Sequence, residues 1–351
     1  MLLDILALGC AALIGFAAHR GSLCNVRAVA ELMTTGSAHM LSSLLQAVLW
    51  MAALTGVLVL GFGLAPQPVL AHTPVYWAVA GGALFGTGAA INGGCSLSTL
   101  TRLADGNMGM VATLAGFALG VSALVALHAG DSLAALAPLP SPWLRWPDLA
   151  PWLLAGLLVW ALQRVRSLWR LARQPEPAPV TSLLAPSYHL SAAAVLMGLA
   201  AGLLFATQGA WSYTNYVRTG VSHALGEVPA ATAWHAALVG ALLVGMLGSS
   251  LQRRSFVWTR PTDVVGWMRH AIGGALMGMG AALVPGGNDT LLLGNLPTMT
   301  GAAAGTYLSM LLGIALVLWM MRLARVPMPA LACSPSGCEE VRAPQARRDA
   351  P

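Results

Sequence analysis

Charged residues are scarce in this 351-residue sequence, and lysine is absent altogether. Aspartate, glutamate, lysine and arginine make up 9% of the residues, whereas 57% are hydrophobic and the mean hydropathy is +0.72. A soluble domain carries charge on about a quarter of its residues. The composition therefore excludes an ordinary soluble protein and predicts an integral membrane protein.

Sequence signatures of common enzymes and metal sites are missing as well. The sequence has no GxxxxGK[ST] phosphate-binding loop and no haem-attachment spacing, and its histidines do not stand in HxxxH or HxxE spacing. Five cysteines are too few and too scattered for a disulfide framework. No acid and base pair can be assembled, so we expect no enzyme activity, no metal and no cofactor.

Long apolar runs dominate the sequence. A helix needs about 17 to 25 residues to cross a bilayer. The first run is retained as a helix, because no basic segment precedes it and no small-residue cleavage site follows it. Runs of sufficient length comprise residues 2–18, 39–63, 75–91, 108–129, 149–165, 188–206, 230–250, 267–284 and 299–321. We therefore predict an all-α polytopic membrane protein with about nine transmembrane helices.

The arginines fall mostly on one side of this arrangement. When all eighteen are assigned to alternate sides of the runs, only Arg145 and Arg218 share a side with the N-terminus. The positive-inside rule then places the N-terminus outside and the C-terminus in the cytoplasm, as expected for a bacterial inner-membrane protein. Arg27, Arg102 and Arg218 fall within interrupted segments, where they either line a pathway or extend to the interface.

A glycine-rich motif occurs twice in the chain. GGALFGTGAAI at 81–91 and GGALMGMGAAL at 273–283 are identical at eight of eleven positions. After one inserted residue, Gly93-Gly94-Cys95 aligns with Gly286-Gly287-Asn288. Such a duplication is typical of transporters whose interrupted helices meet near mid-membrane. Because a glycine pair weakens a helix and bares its backbone, we expect each pair to line a cavity.

Four segments are too polar to span a membrane and too apolar for ordinary loops, and we predict re-entrant half-helices there. They comprise residues 22–34, 95–104, 209–229 and 286–296. Four helices per half and one connecting helix make the second half enter from the opposite side, so the repeats are predicted to be inverted. The predicted domains are a first repeat at 1–129, an external loop, joining helix and cytoplasmic linker at 130–187, a second repeat at 188–326, and a disordered cytoplasmic tail at 327–351.

The interruptions carry the candidate chemistry. A half-helix that begins at a glycine break points unpaired N–H groups and its positive dipole end at the space before it, which favours an anion. Thiols there are weak donors and polarisable acceptors, suited to a soft sulphur-bearing solute. The predicted substrate-binding residues are Cys24, Asn92, Gly93, Gly94, Cys95, Ser96, Gly286, Gly287, Asn288 and Asp289.

Several of these cysteines and the acidic residue have a simpler interpretation. Cys24 and Cys95 could be small core residues, and Asp289 could cap a half-helix. Cys10 lies in an uninterrupted apolar run and is predicted to be structural. Cys333 and Cys338 have neither CxxC nor zinc-knuckle spacing, which leaves an inert tail, a sulphur relay or metal capture open.

Two stretches resemble the YeeE/YedE family of sulphur-compound transporters: SLCNVRAVAEL at 22–32 and NGGCSLSTLTRLADGN at 92–107. The resemblance extends over roughly residues 10–322. It implies an hourglass-like fold in which cysteines, here Cys24 and Cys95, pass thiosulfate by S–H to S hydrogen bonds. It also implies a small cytoplasmic sulphur-carrier protein as a partner. The family's further cysteine is replaced by Asn288, followed by Asp289, so thiosulfate and its relatives both stay open as the solute.

The predicted function is uptake of a small sulphur-containing anion through a cysteine-lined constriction. The alternative is a membrane anchor or assembly partner for a cytoplasmic sulphur-handling protein, without transport of its own. The cysteine-bearing tail and the arginine-rich cytoplasmic loops are the features that favour this alternative.

Overall fold

The computed structural model describes residues 2–64, 75–127, 141–173, 188–209, 211–226, 232–284, 286–326, 331–334 and 337–340, and these are almost entirely helical. Long helices of 18 residues or more overlap every one of the predicted apolar runs. They are α1 (Leu2–Gly21), α3 (His39–Gly56), α4 (Val75–Asn92), α6 (Gly109–Leu127), α8 (Ala150–Ala172), α9 (Leu190–Gln208), α11 (Ala233–Arg253), α12 (Val264–Leu283) and α14 (Gly301–Leu323).

Six segments of the described chain are long and apolar enough to cross a membrane. They contain α1, α3, α6, α9, α11 and α14. The predicted all-helical polytopic architecture is therefore confirmed at this level. The count of nine spans, which also requires α4, α8 and α12 to cross, stays a prediction.

Short helices occupy the four predicted interruptions. They are α2 (Asn25–Thr35), α5 (Ser96–Ala104), α10 (Tyr213–Ala224) and α13 (Asn288–Thr290), and α13 continues as a π-helix over Leu291–Asn295 and a 3₁₀ turn over Leu296–Thr298. A further short helix, α7 (Pro142–Arg145), precedes α8. Each interruption thus separates a long helix from a short one that starts afresh.

The C-terminal segment departs from the predicted disorder at one place. Strands β1 (Leu331–Ser334) and β2 (Gly337–Glu340) pair as an antiparallel hairpin in which Cys333 lies opposite Cys338. Strand β1 packs against α2 and α3, which supply a surface for the hairpin. The remaining residues of 327–351 lie outside the described part of the chain.

The long helices pack in a pattern that relates the two halves. Helix α1 packs against α9 and α11, and α9 packs in turn against α3. In the same way α4 packs against α12 and α14, and α12 packs against α6. The same set of helix contacts results when each helix of the first half is replaced by its counterpart in the second half and the reverse. The counterparts are α1 and α9, α3 and α11, α4 and α12, and α6 and α14.

The duplicated glycine motif packs against its own second copy. A Cβ atom on Gly88 would lie 2.6 Å from the Gly273 carbonyl oxygen, and one on Gly280 would lie 2.6 Å from the Gly81 carbonyl oxygen. The start of each copy therefore contacts the eighth residue of the other copy. The two helices cross in antiparallel directions. Small residues let helix backbones approach this closely. Because the crossing is antiparallel, α4 ends beside Gly273 and α12 ends beside Gly81, so the two breaks leave the crossing at opposite ends.

A buried carboxylate fixes the far end of half-helix α2. Glu31 is fully buried and accepts hydrogen bonds from the backbone N–H groups of His39, at 3.0 Å, and Met40, at 2.9 Å. These two N–H groups belong to the first turn of α3, where a helix has no internal acceptor. Half-helix α2 is therefore tied to the start of α3.

A second acidic residue fixes the far end of α5. Asp105 Oδ1 accepts from His19 Nε2 at 2.9 Å, Ser250 Oγ at 2.8 Å and Ser255 Oγ at 2.5 Å. Burial raises the pKa of the Asp105 carboxyl, but the hydrogen bonds from His19, Ser255 and Ser250 outweigh burial and hold it below its ordinary value. The end of α5 is therefore anchored to α1 and α11.

Candidate functional site

The two glycine breaks turn the chain at the centre of the protein. Gly93, with φ +75°, follows α4, and Gly286, with φ +97°, follows α12. Both lie in the left-handed region, which glycine adopts at little cost. A Cβ on Gly286 would collide with the side chain of Thr290. These turns redirect the chain after α4 and α12, so that the first turns of α5 and α13 meet, with Ser96 hydrogen-bonded to Asp289.

Cys24 and Cys95 meet at this centre. Cys24 is the N-cap of α2 and Cys95 the N-cap of α5, and their side chains are 2% and 1% exposed. Both cysteines are free thiols. Cys24 Sγ donates to Ser98 Oγ at 3.5 Å, in the first turn of the half-helix that Cys95 caps. The structure therefore brings together the two thiols that the sequence singled out.

Half-helices α2 and α5 begin directly after the two thiols. Neither thiol makes a capping hydrogen bond to its own helix. The first-turn N–H groups of α2 and α5 thus remain directed at the space that the thiols share, where an anion would be stabilised.

The second half contributes hydroxyls and a carboxylate to the same centre. Asp289 is buried, with Thr214 Oγ1 at 2.5 Å from its Oδ1 and Thr214 N–H at 3.2 Å from its Oδ2. Ser212 caps α10 and is hydrogen-bonded to Thr290. Gly287 N–H donates to Thr214 Oγ1 at 2.8 Å. The starts of α10 and α13 are therefore held together by their own polar side chains.

Hydrogen bonds also join the two halves across the centre. Asn25 Nδ2 donates to Asn288 Oδ1, and Ser96 Oγ donates to Asp289 Oδ1 at 3.3 Å. Tyr213 Oη donates to the Ser96 carbonyl oxygen at 2.6 Å. Together with the thiol pair, these contacts close the middle of the protein in a single polar layer.

A tyrosine from α14 extends the layer. Tyr307 is 6% exposed, and its hydroxyl donates to Asn25 Oδ1 at 2.8 Å. Asn25, Thr214, Tyr213 and Tyr307 were all missing from the predicted set of binding residues. Asn25 could have been inferred from its position after Cys24, and Tyr213 and Thr214 from theirs in a predicted interruption. Tyr307 lies in an apolar run and only the tertiary structure reveals it.

Asn92 has a different environment from the other predicted residues. Its Oδ1 accepts from Thr113 Oγ1 at 2.7 Å and is 2.8 Å from His270 Nδ1. Its Nδ2 donates to the Gly94 carbonyl oxygen at 3.0 Å and to Thr99 Oγ1 at 3.2 Å. All the polar capacity of the amide is engaged within the protein. Asn92 thus holds the break in shape and joins it to α6 and α12.

The aligned breaks differ by one residue. Cys95 is the N-cap of α5, whereas the N-cap of α13 is Gly287 and Asn288 is its first helical residue. Asn288 therefore does not take the capping position that its alignment with Cys95 predicts. Gly93 and Gly94 shape the first turn, and the Gly93 carbonyl oxygen accepts from Arg102 Nη1 at 3.3 Å.

A small cavity adjoins this polar layer between α4, α12 and α14. It is lined by Gly81, Gly82, Phe85, Gly280, Val284, Gly286, Gly287, Asn288, Leu291, Thr306 and Met310. The second glycine pair therefore does line a cavity, as its sequence predicts. Asn288 reaches both this cavity and, through Asn25, the half-helix that carries Cys24.

Comparison with known proteins agrees with the resemblance seen in the motifs. No curated protein matches the chain. The model of a family described as sulphur transport matches residues 20–316, which include all four interruptions and both thiols of the central layer. The chain therefore belongs to the YeeE/YedE family of sulphur transport proteins.

Proposed function

We propose that the protein takes up thiosulfate or a related small sulphur-containing anion into the cytoplasm through the central polar layer. The observation that carries this proposal is that Cys24 and Cys95 both lie at the starts of half-helices, and that Cys24 donates to Ser98 in the first turn after Cys95. The solute would be bound by these thiols together with Asn25, Ser96 and Asn288.

The chemistry of the layer suits an anion with a soft end. Half-helices α2 and α5 direct N–H groups and positive dipole ends at the thiols, which stabilises negative charge. A neutral thiol donates a weak hydrogen bond and accepts from or contacts a polarisable sulphur atom. A strongly hydrated ion would lose more hydration here than thiols restore.

Passage requires the residues of the layer to exchange partners. Cys24, Asn25, Cys95 and Asn288 are at most 2% exposed and are bonded to one another or to their neighbours. A solute can therefore advance only by replacing these contacts with contacts to itself. Because each protein bond lost is replaced by a bond to the solute, the layer can select for solutes that offer matching acceptors.

The proposal includes nine membrane spans in two inverted repeats. The exchange symmetry of the helix contacts and the antiparallel crossing of the duplicated motif support this arrangement. With the arginines on the cytoplasmic side, α2 and α5 approach the centre from the cytoplasm, and α10 and α13 from outside. The thiols then lie on the cytoplasmic face of the layer, and Asp289 and Thr214 on its outer face.

Uptake of radiolabelled thiosulfate into proteoliposomes tests the proposal. Cys95→Ala should abolish uptake, because it removes one of the two thiols in the layer. Cys10→Ala is the matched control, since Cys10 is a buried free thiol within α1, away from the layer. Equal uptake by wild type and Cys95→Ala would remove the role proposed for this thiol.

The alternative is that the protein anchors a cytoplasmic sulphur-handling protein without transporting anything. Strand β1 packs against α2 and α3, so the tail hairpin lies beside the half-helix that carries Cys24. A carrier protein bound to the hairpin would be positioned to receive the solute. Deletion of residues 327–351 separates the two functions. A transporter keeps uptake into proteoliposomes after the deletion, whereas a pure anchor shows no uptake and loses its bound partner when the tail is removed.

A further inference from the structure

A second, small cavity lies between α1, α9 and the π-helical segment after α13. Its lining is almost wholly apolar and consists of Ile14, Ala201, Leu204, Phe205, Gly209, Trp211 and Leu293. The one strong hydrogen-bonding side chain in this lining is the indole of Trp211. The cavity does not include any residue of the central layer.

The Trp211 indole N–H has no hydrogen-bond partner within the described part of the chain, although the residue is only 8% exposed. An indole nitrogen can only donate. A buried donor without an acceptor is unfavourable, and such groups in native proteins usually pair with water or a ligand. Trp211 therefore brings a buried, unpaired donor to the lining of the cavity.

The cavity adjoins the central layer. Trp211 directly precedes Ser212, which is hydrogen-bonded to Thr290 at the start of α13. Leu293 belongs to the continuation of that same helix. Beyond Ser212 lie the hydroxyls of Thr290 and Thr214, and Thr214 contacts Asp289. A solute atom that moved from this cavity toward Ser212 would therefore reach these hydroxyls.

The cavity shares its lining residue Phe205 with a third small cavity. The third cavity is lined by Thr55, Ser141, Pro142, Trp143, Phe205, Pro297 and Thr298. Residues 141–143 lie within the predicted external loop, so this cavity lies toward the outside in the proposed topology. The Trp211 cavity therefore occupies an intermediate position between the external side and the central layer.

We propose that the Trp211 cavity is an outer subsite for the transported anion, where the indole N–H donates to a terminal sulphur or oxygen atom. The subsite rests on the proposed function. Its narrow space admits one terminal atom at a time, and its apolar walls favour a weakly hydrated sulphur over a strongly hydrated oxygen. A charge-assisted hydrogen bond from a buried donor would retain the anion before it reaches the thiols.

The concentration dependence of thiosulfate uptake into proteoliposomes tests the subsite. Trp211→Phe keeps an aromatic ring but removes the N–H, and should raise KM about tenfold with little change in the maximal rate. Trp50→Phe is the matched control, because its indole N–H is also buried and unpartnered among the described residues but lies beside Trp160, away from the cavity. This control should keep the wild-type KM.

A second variant keeps the test decisive if the aromatic change impairs folding. Ala201→Val fills part of the cavity and leaves the indole in place, and it should also raise KM. Wild-type KM in both Trp211→Phe and Ala201→Val would overturn the subsite while uptake itself persists. Absence of uptake by the wild-type protein would instead overturn the proposed function, on which the subsite depends.

Discussion

The side-chain amides of Asn25 and Asn288 are hydrogen-bonded to each other, although 263 positions separate them in the sequence. Asn25 is the first residue of half-helix α2, and Asn288 is the first residue of α13. This bond joins the half-helix that carries Cys24 to the break of the second repeat. The second repeat thus contributes an amide where the family resemblance leads one to expect a thiol.

Replacement of Asn288 by cysteine should preserve or increase thiosulfate uptake. The new thiol would offer a third soft group to the solute and could still accept from Asn25 Nδ2. The initial rate of radiolabelled thiosulfate uptake measures the effect. Asn295→Cys is the control, because Asn295 is buried in the continuation of α13 but outside the central layer. Loss of thiosulfate uptake in Asn288→Cys would show that the amide serves a different solute.

Replacement of Asp289 by asparagine should lower the KM for thiosulfate. At about 6 Å and an effective dielectric constant of about 20, one carboxylate charge repels a dianion by about 5 kcal/mol. Loss of one acceptor for Thr214 offsets about 1 to 3 kcal/mol of this gain, so we expect KM to fall by more than tenfold. Uptake kinetics at constant pH provide the measurement.

The exposed Asp263 supplies the control for this charge. It caps α12 through a 3.2 Å hydrogen bond from Gly266 N–H, and asparagine is an equally good cap. Asp263→Asn should leave KM unchanged. An unchanged KM in Asp289→Asn as well would contradict the prediction and show that the carboxyl group is already neutral when the anion binds.

Asn92→Leu should destabilise the fold rather than alter solute affinity. The substitution leaves Thr113, Thr99, the Gly94 carbonyl and His270 without their partner, and each buried polar group left unpaired costs about 1 to 3 kcal/mol. We expect a lower denaturation temperature in detergent. The control is Ser122→Ala, since the Ser122 hydroxyl bonds to the Ala118 carbonyl of its own helix. Wild-type thermal stability together with a raised KM would instead assign Asn92 to solute binding.

Gly88→Ala should impair folding, because the added Cβ would lie 2.6 Å from both Gly273 O and Met277 N. Separation of α4 from α12 to relieve this overlap would cost about 1 to 3 kcal/mol. The yield of monodisperse protein after detergent extraction measures the effect. Gly305→Ala is the control on α14, because a Cβ there meets no atom within 4 Å. Equal yields from the two variants would argue against close packing at the crossing.

The positions of the long helices and of Cys24 and Cys95 were predictable from local patterns. An apolar run of membrane length forms a helix almost regardless of its neighbours, since its backbone groups must be satisfied internally. A glycine pair followed by polar residues marks a break in the same local way. The predicted re-entrant piece at 95–104 agrees with α5, which spans Ser96–Ala104.

Residues of the central layer that lie far apart in sequence were not predictable in the same way. Tyr307 reaches Asn25 only because α14 packs against α2, and His270 reaches Asn92 only because α12 packs against α4 and α6. Helix periodicity identifies an element but does not identify its neighbour. The sequence also did not predict that Cys95 is an N-cap whereas Asn288 is the first residue inside its helix. One extra residue in the turn leaves the sequence alignment of the two breaks unchanged.

The sequence by itself determined that this is a helical membrane protein with a duplicated, glycine-broken unit and thiols at two of its breaks. These features follow from composition, run length and the conformational freedom of glycine, which act within a few residues of chain. Only the tertiary structure decided which polar groups share the centre, that Asn92 supports a turn, and that Trp211 borders a cavity. Those outcomes depend on helix crossings at small residues, where a single Cβ atom alters which side chains can meet.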